Sequence, residues 1–117
     1  MEPLPKAEDA FGLQEKLADY SLNVEHEDGG PKARGFKLIL GITLEDLDYL
    51  ENSIRIGILT APVEAIRDNA PHGLNCVVTV AVQGLGVKSS RIVDVRTVWE
   101  ITGHGAPPRL VNAFPRP

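Results

Sequence analysis

Residues 43–58, TLEDLDYLENSIRIGI, decide the first half of the fold. Thr43 carries a hydroxyl that can cap free backbone N–H groups, and the acidic Glu45 and Asp46 favour the positive end of a helix dipole. The apolar residues that follow recur at steps of three and four, the spacing of one helix face. They are Leu44, Leu47, Leu50, Ile54 and Ile58. The pattern predicts an amphipathic helix that packs one face against another layer.

In residues 91–102, RIVDVRTVWEIT, the apolar residues recur at every second position instead of at helical spacing. Val93, Val95, Thr97, Trp99 and Ile101 fall on one face, and Asp94, Arg96 and Glu100 on the other. Such alternation is typical of a half-buried strand. Further strands are predicted at 63–67, 76–83 and 109–114. Because short turns separate these segments, we expect neighbouring strands to pair antiparallel.

Two more helical segments precede this pattern. The spacing of apolar residues predicts a short helix over 13–22 and a second helix over 31–40, with Pro31 in its first turn and Gly41 as its left-handed cap. Residues 1–12 contain two prolines and mixed charge, and predict a loosely ordered leader. We therefore expect an α+β fold: a single domain over 13–117, with N-terminal helices on one face of a three- to four-stranded antiparallel sheet.

Composition excludes several classes of protein. The 117 residues suffice for one domain with its own core, and the net charge of −4 argues against a general nucleic-acid coat protein. Cys76 is the only cysteine, so a disulfide framework and a thiolate zinc site are excluded. The three histidines form no His-x-x-x-His pair, and we predict no metal and no cofactor. The lack of a signal peptide and of a membrane-spanning run favours a cytoplasmic protein.

The loop at residues 23–34 offers the residues best suited to chemistry. His26 can exchange a proton near neutral pH, and Lys32 and Arg34 stand at the start of a predicted helix, where cations and free N–H groups can hold a phosphate. A proton acceptor, a cation and an acid together can cleave an RNA phosphodiester without metal. The alternative is that His26 is an exposed loop residue and Lys32 a solvated helix residue. Spacing alone favours this alternative, because histidine and lysine often occur near each other.

Residues 16–36, KLADYSLNVEHEDGGPKARGF, resemble the opening of a small C-terminal toxin domain of bacterial polymorphic and contact-dependent inhibition systems. The shared pattern is Lys-Leu-x-x-Tyr-x-Leu-Asn-x-x-His-x-x-Gly-x-x-Lys-Ala-x-x-Phe. The strand around Trp99 and the ending 108–113 match as well, so the resemblance covers about residues 16–115. The order of helices followed by a sheet is similar to the barnase, EndoU, colicin and RelE group of ribonucleases.

This resemblance implies a metal-independent endoribonuclease toxin-like domain that acts on RNA, with transfer RNA as one candidate substrate. It also implies that a small cognate immunity or antitoxin protein inhibits the domain. It implies that His26 and Lys32 are catalytic. Asn23 and Arg34 would support them, and Thr97 and Arg109 would contribute from the sheet. The alternative is a non-enzymatic interaction module, either an immunity- or antitoxin-like partner or a domesticated, inactive toxin domain. The acidic charge favours this alternative, because inhibitors of RNA-binding enzymes often present negative charge to a basic cleft.

Overall fold

The computed structural model describes residues 2–117, in which a helical layer precedes a four-stranded sheet. The helical part comprises a 3₁₀ turn (Ala7–Asp9), α1 (Leu13–Lys16) continued by a π-helical segment (Leu17–Ser21), α2 (Gly30–Gly35) continued by a second π-helical segment (Phe36–Leu40), a 3₁₀ turn (Leu44–Asp46) and α3 (Leu47–Ile58). The strands are β1 (Val63–Asp68), β2 (Leu74–Gln83), β3 (Ile92–Ile101) and β4 (Arg109–Pro115). They pair antiparallel in the order β1-β2-β3-β4. The predicted α+β class is confirmed.

The helix α3 begins and packs largely as its pattern predicts. At its start, in a capping box, the Thr43 N–H donates to Asp46 Oδ2 at 3.0 Å. Three apolar residues of the predicted stripe are fully buried: Leu50, Ile54 and Ile58. A Cβ atom at Gly57 would lie 2.7 Å from Val80 Cγ1, so glycine at this position permits the close approach of α3 to β2. The helix thereby covers the inner face of the sheet.

The inner face of the sheet carries one buried polar side chain, Thr97 of β3, which is 0% exposed. Its hydroxyl donates to the Val78 carbonyl at 2.7 Å and accepts the indole N–H of Trp99 at 2.7 Å. The expected contribution of Thr97 to the site finds no support in this geometry, because both hydrogen bonds of the hydroxyl stay within the core. The residue satisfies a buried indole.

The N-terminal segment differs from its prediction. Residues 2–12, expected to be a loosely ordered leader, contribute Leu4, Ala7 and Ala10 to the core at 4%, 6% and 4% exposure. Phe11 donates its N–H to the Pro108 carbonyl and accepts the Leu110 N–H, both at 3.0 Å. These apolar residues lie three positions apart among prolines and charged residues, so the local sequence gives no clear sign of burial. They are buried only because β4 and α3 lie beside them. Met1 lies outside the described residues.

Within residues 2–117, the helices are all too short or too polar to cross a bilayer.

We expect Thr97→Val to lower the free energy of unfolding by about 1–3 kcal/mol, because it leaves the Trp99 indole N–H buried without an acceptor. Urea denaturation followed by tryptophan fluorescence measures this change. Thr79→Val, at a half-buried position of β2, is the matched control and should change stability by about 0.5 kcal/mol or less. Equal stability of the two variants would contradict the assigned role of Thr97.

Candidate functional site

The loop between the first π-helical segment and α2 folds back tightly onto Tyr20. A Cβ atom at Gly29 would lie 2.1 Å from the Tyr20 carbonyl oxygen, and one at Gly30 would lie 2.9 Å from the Val24 carbonyl oxygen. Real Cβ atoms do not approach backbone oxygens so closely, so both positions require glycine for lack of space. The pair of glycines thus brings the start of α2, with Lys32, against the helical segment that carries Tyr20.

Asn23 shapes this loop from within. Its side-chain oxygen accepts the Glu25 N–H at 3.0 Å, and its side-chain nitrogen donates to the Asp19 carbonyl at 3.3 Å. The Asn23 carbonyl accepts the His26 N–H at 3.2 Å. Both ends of the amide are engaged with backbone, an arrangement common for Asn in turns. The supporting role expected for Asn23 is therefore that of holding the loop that presents His26.

His26 is held by one of its two ring nitrogens. Its Nδ1 accepts the N–H groups of Asp28 and Gly29, each at 3.0 Å. A neutral imidazole that accepts at Nδ1 carries its proton on Nε2, so the nitrogen left for a ligand is a donor. In this loop conformation the Nε2 of His26 can donate a hydrogen bond to an anion but cannot act as a proton acceptor.

Tyr20 contacts both candidate catalytic residues, His26 and Lys32. The Lys32 ammonium donates to the Tyr20 hydroxyl at 2.5 Å and lies 4.5 Å from the ring centroid. The His26 ring meets the Tyr20 ring edge to face, with centroids 4.9 Å apart. The Lys16 ammonium lies 5.6 Å from the same centroid. His26 and Lys32 therefore converge on one phenol ring, which our reasoning from the sequence did not single out, although Lys16 and Tyr20 share a helix face at a spacing of four.

An open cleft of about 580 Å³ lies beside this cluster. It is lined by Phe11, Gly12, Glu15, Lys16, Asp19, Tyr20, His26 and Arg109. Arg109, at the start of β4, donates to Glu100 Oε1 at 2.9 Å, which orients the guanidinium while leaving other N–H groups free. A Cβ at Gly12 would lie 3.1 Å from Arg109 Cγ, so the absence of a side chain there makes room for the arginine stem. The cleft brings Arg109 and His26 together.

The remaining candidates are placed differently. Lys32 does not line the cleft and reaches it through Tyr20, whose hydroxyl it contacts. Arg34 is exposed on α2 and lies outside the cleft lining. Thr97 is enclosed in the core, as described above. Of the six candidate residues, the structure therefore assembles His26, Lys32 and Arg109 around one site, with Asn23 behind the loop.

The described residues do not form a cysteine nucleophile site or a metal site. Cys76 is buried in the core, and burial raises the pKa of its thiol, so it is suited to packing rather than to nucleophilic attack. Across residues 2–117, no group of three or more His, Cys, Asp or Glu side chains is arranged to hold a metal ion. His104 lines a separate, mainly apolar pocket of about 790 Å³ formed by the N-terminal segment and the β1–β2 and β3–β4 connections.

Two substitutions at His26 distinguish the contribution of Nδ1 to stability from the rest of the side chain. In His26→Asn the side-chain oxygen can still accept the Asp28 and Gly29 N–H groups, whereas His26→Ala removes that acceptor. We expect His26→Ala to lower the free energy of unfolding by about 1–2 kcal/mol and His26→Asn to lower it by clearly less. Thermal and urea denaturation of the two variants measure this difference; equal losses would show that the Nδ1 hydrogen bonds do not hold the loop.

Comparison with known proteins places the chain in a family. No curated protein matches it, and no solved structure matches it. A family model described as "Domain of unknown function (DUF6883)" matches residues 3–117. That description assigns no activity, so any function has to be argued from the cleft itself. Because the match spans nearly the whole chain, including the N-terminal segment that packs against β4, the protein belongs to the DUF6883 family.

Proposed function

We propose that this protein is a metal-independent endoribonuclease of toxin-like type, which cleaves RNA in the cleft between α1 and the start of β4. The observation that carries the proposal is the convergence of His26 and the Lys32–Tyr20 pair beside a cleft that also holds Lys16 and Arg109. These groups offer hydrogen-bond donors, positive charge and an acidic proton in or beside one cleft, and Glu15 and Asp19 of its lining offer proton acceptors. Those are the requirements for phosphodiester cleavage without a metal ion.

Three groups suit the phosphate. The ammonium of Lys16 and the guanidinium of Arg109 line the cleft, and the Nε2–H of His26 is the ring donor not used by the loop. Charge-assisted hydrogen bonds from such groups are stronger than neutral ones. As the 2′-oxygen attacks phosphorus, negative charge grows on the two non-bridging oxygens, and these donors stabilise it. The assigned role of His26 is thus electrostatic.

The protons follow from the remaining groups. A cleft carboxylate, Glu15 or Asp19, accepts the proton of the attacking 2′-hydroxyl. The bond from the 2′-oxygen to phosphorus forms and the bond from phosphorus to the 5′-oxygen breaks, which leaves a 2′,3′-cyclic phosphate. The Tyr20 hydroxyl accepts a hydrogen bond from Lys32, so its own proton is free to pass to the leaving 5′-oxygen. The Lys32 ammonium stabilises the tyrosinate that this transfer leaves. Solvent then carries the proton from the carboxylic acid back to Tyr20, so that every group returns to its starting protonation.

Lys32→Met and His26→Asn test this assignment. Methionine keeps an apolar stem against Tyr20 but removes the ammonium, and asparagine keeps the loop acceptor but removes the Nε2–H. We expect each change to lower the rate of RNA cleavage by about 100-fold, the usual scale for loss of a group that assists proton transfer, as at Lys32, or of a donor that stabilises the transition-state charge, as at His26. The measurement is cleavage of end-labelled RNA, including transfer RNA, in excess chelator, with detection of cyclic phosphate ends.

Lys37→Met is the matched control, because Lys37 is an exposed lysine in the segment that continues α2 and does not line the cleft. It should cleave at the rate of the unaltered protein. Cleavage that survives in both Lys32→Met and His26→Asn, or that stops when metal is chelated, would overturn the proposal. In cells, the active protein would act on cytoplasmic RNA and require a small cognate inhibitor.

A second candidate is a non-enzymatic interaction module, such as an immunity-like partner or an inactive toxin domain. The loop beside His26 exposes three carboxylates, from Glu25, Glu27 and Asp28, and the whole chain carries a net charge of −4. An acidic loop of this kind complements a basic cleft on another protein. Purified protein that leaves RNA intact but loses partner binding when these three residues are changed to their amides would favour this candidate.

A further inference from the structure

Phe11 is an aromatic side chain in an unusual setting. It lines the cleft, yet its side chain is 47% exposed to solvent. Its backbone is held on both sides, because its N–H donates to the Pro108 carbonyl and its carbonyl accepts the Leu110 N–H, each at 3.0 Å. These bonds form a parallel bridge to Arg109. The ring is therefore presented to solvent from a fixed backbone position beside the cationic start of β4.

The other aromatic ring of the cleft is already occupied. Lys32 and Lys16 lie over the face of Tyr20 at 4.5 Å and 5.6 Å from its centroid, and the His26 ring meets its edge. Trp99, the largest aromatic residue, is 0% exposed. Of the two phenyl rings that line the cleft, that of Phe11 is thus the one open to a stacked ligand.

We propose that Phe11 is the stacking platform for an unpaired nucleobase next to the scissile phosphate, and that the substrate class is single-stranded RNA. This inference rests on the proposed function, since it concerns the same cleft. A nucleotide combines an anionic phosphate with a flat aromatic base. Arg109 and Lys16 supply charge for the phosphate, and the ring of Phe11 supplies a flat apolar surface for the base.

Base stacking on an aromatic side chain requires a base that is free of its helical neighbours. The bases of a duplex already stack on one another, and their faces cannot reach a protein ring without being extruded. The Phe11 ring therefore selects loops, ends and unstructured segments. Such stacking tolerates any base, because every base has an aromatic face, so Phe11 confers preference for strand state rather than for sequence.

Binding of a fluorescent, uncleavable single strand carrying 2′-deoxy sugars tests the inference at fixed salt. We expect Phe11→Ala and Phe11→Leu to weaken binding of the single strand about tenfold and Phe11→Trp to preserve it, with little change for the matching duplex. Ile56→Ala removes an exposed apolar side chain that does not line the cleft and is the matched control, expected to bind as the unaltered protein does. Circular dichroism confirms that each variant is folded.

The two proposals fail in different ways. If Phe11→Ala binds the single strand as tightly as Ile56→Ala, or if the single strand and the duplex lose affinity equally, the assignment of Phe11 is overturned whatever the cleavage assay shows. If the unaltered protein cleaves no RNA, the proposed activity is overturned, and the Phe11 comparison still decides whether the cleft stacks a base. Selective, ring-dependent loss of single-strand binding supports the inference.

Discussion

The close approach of Gly29 to the Tyr20 carbonyl is the contact on which the candidate site depends. A Cβ atom added at Gly29 would lie 2.1 Å from that oxygen, so no larger residue fits without moving the loop or the helix. Because the approach is so tight, the Gly29 N–H meets His26 Nδ1 and the following helix brings Lys32 to the Tyr20 hydroxyl. Loop, histidine, lysine and tyrosine thus form one packed unit.

Within this unit, some residues hold the loop and others line the cleft, a division that residue types alone do not reveal. His26 and Asn23 both hold the loop through hydrogen bonds: the asparagine amide is engaged at both ends, and the histidine at one ring nitrogen, Nδ1. Lys32 acts through Tyr20 rather than from the cleft wall. The residues that line the cleft include Lys16, Tyr20, His26 and Arg109. The chemistry we propose therefore uses Lys32 and His26, but in roles set by their neighbours.

Strong local patterns explain why much of the fold could be predicted. The stripe over α3, its Thr43 cap and the alternation over β3 each satisfy a backbone and a burial requirement within one segment. The N-terminal segment has no such signal: Leu4, Ala7 and Ala10 become buried only against distant strands. The core role of Thr97 was not predicted, for a related reason. Alternation placed it on the apolar face, yet the presence of an indole needing an acceptor there depends on how β2 and β3 pack.

The chain's local sequence determined the class of fold, the positions of the helices and strands, and the motif that carries His26 and Lys32, because capping, periodicity and turn chemistry act over a few neighbouring residues. Tertiary structure alone decided that Phe11 and Arg109 line the same cleft as His26. Both residues lie outside the motif, and Arg109 is far from it in sequence. Tertiary structure also decided that Tyr20 stands between the two candidates. The first juxtaposition arises from the docking of the N-terminal segment onto β4, a long-range contact that no local pattern encodes. The second arises from the close approach of Gly29 to the Tyr20 carbonyl.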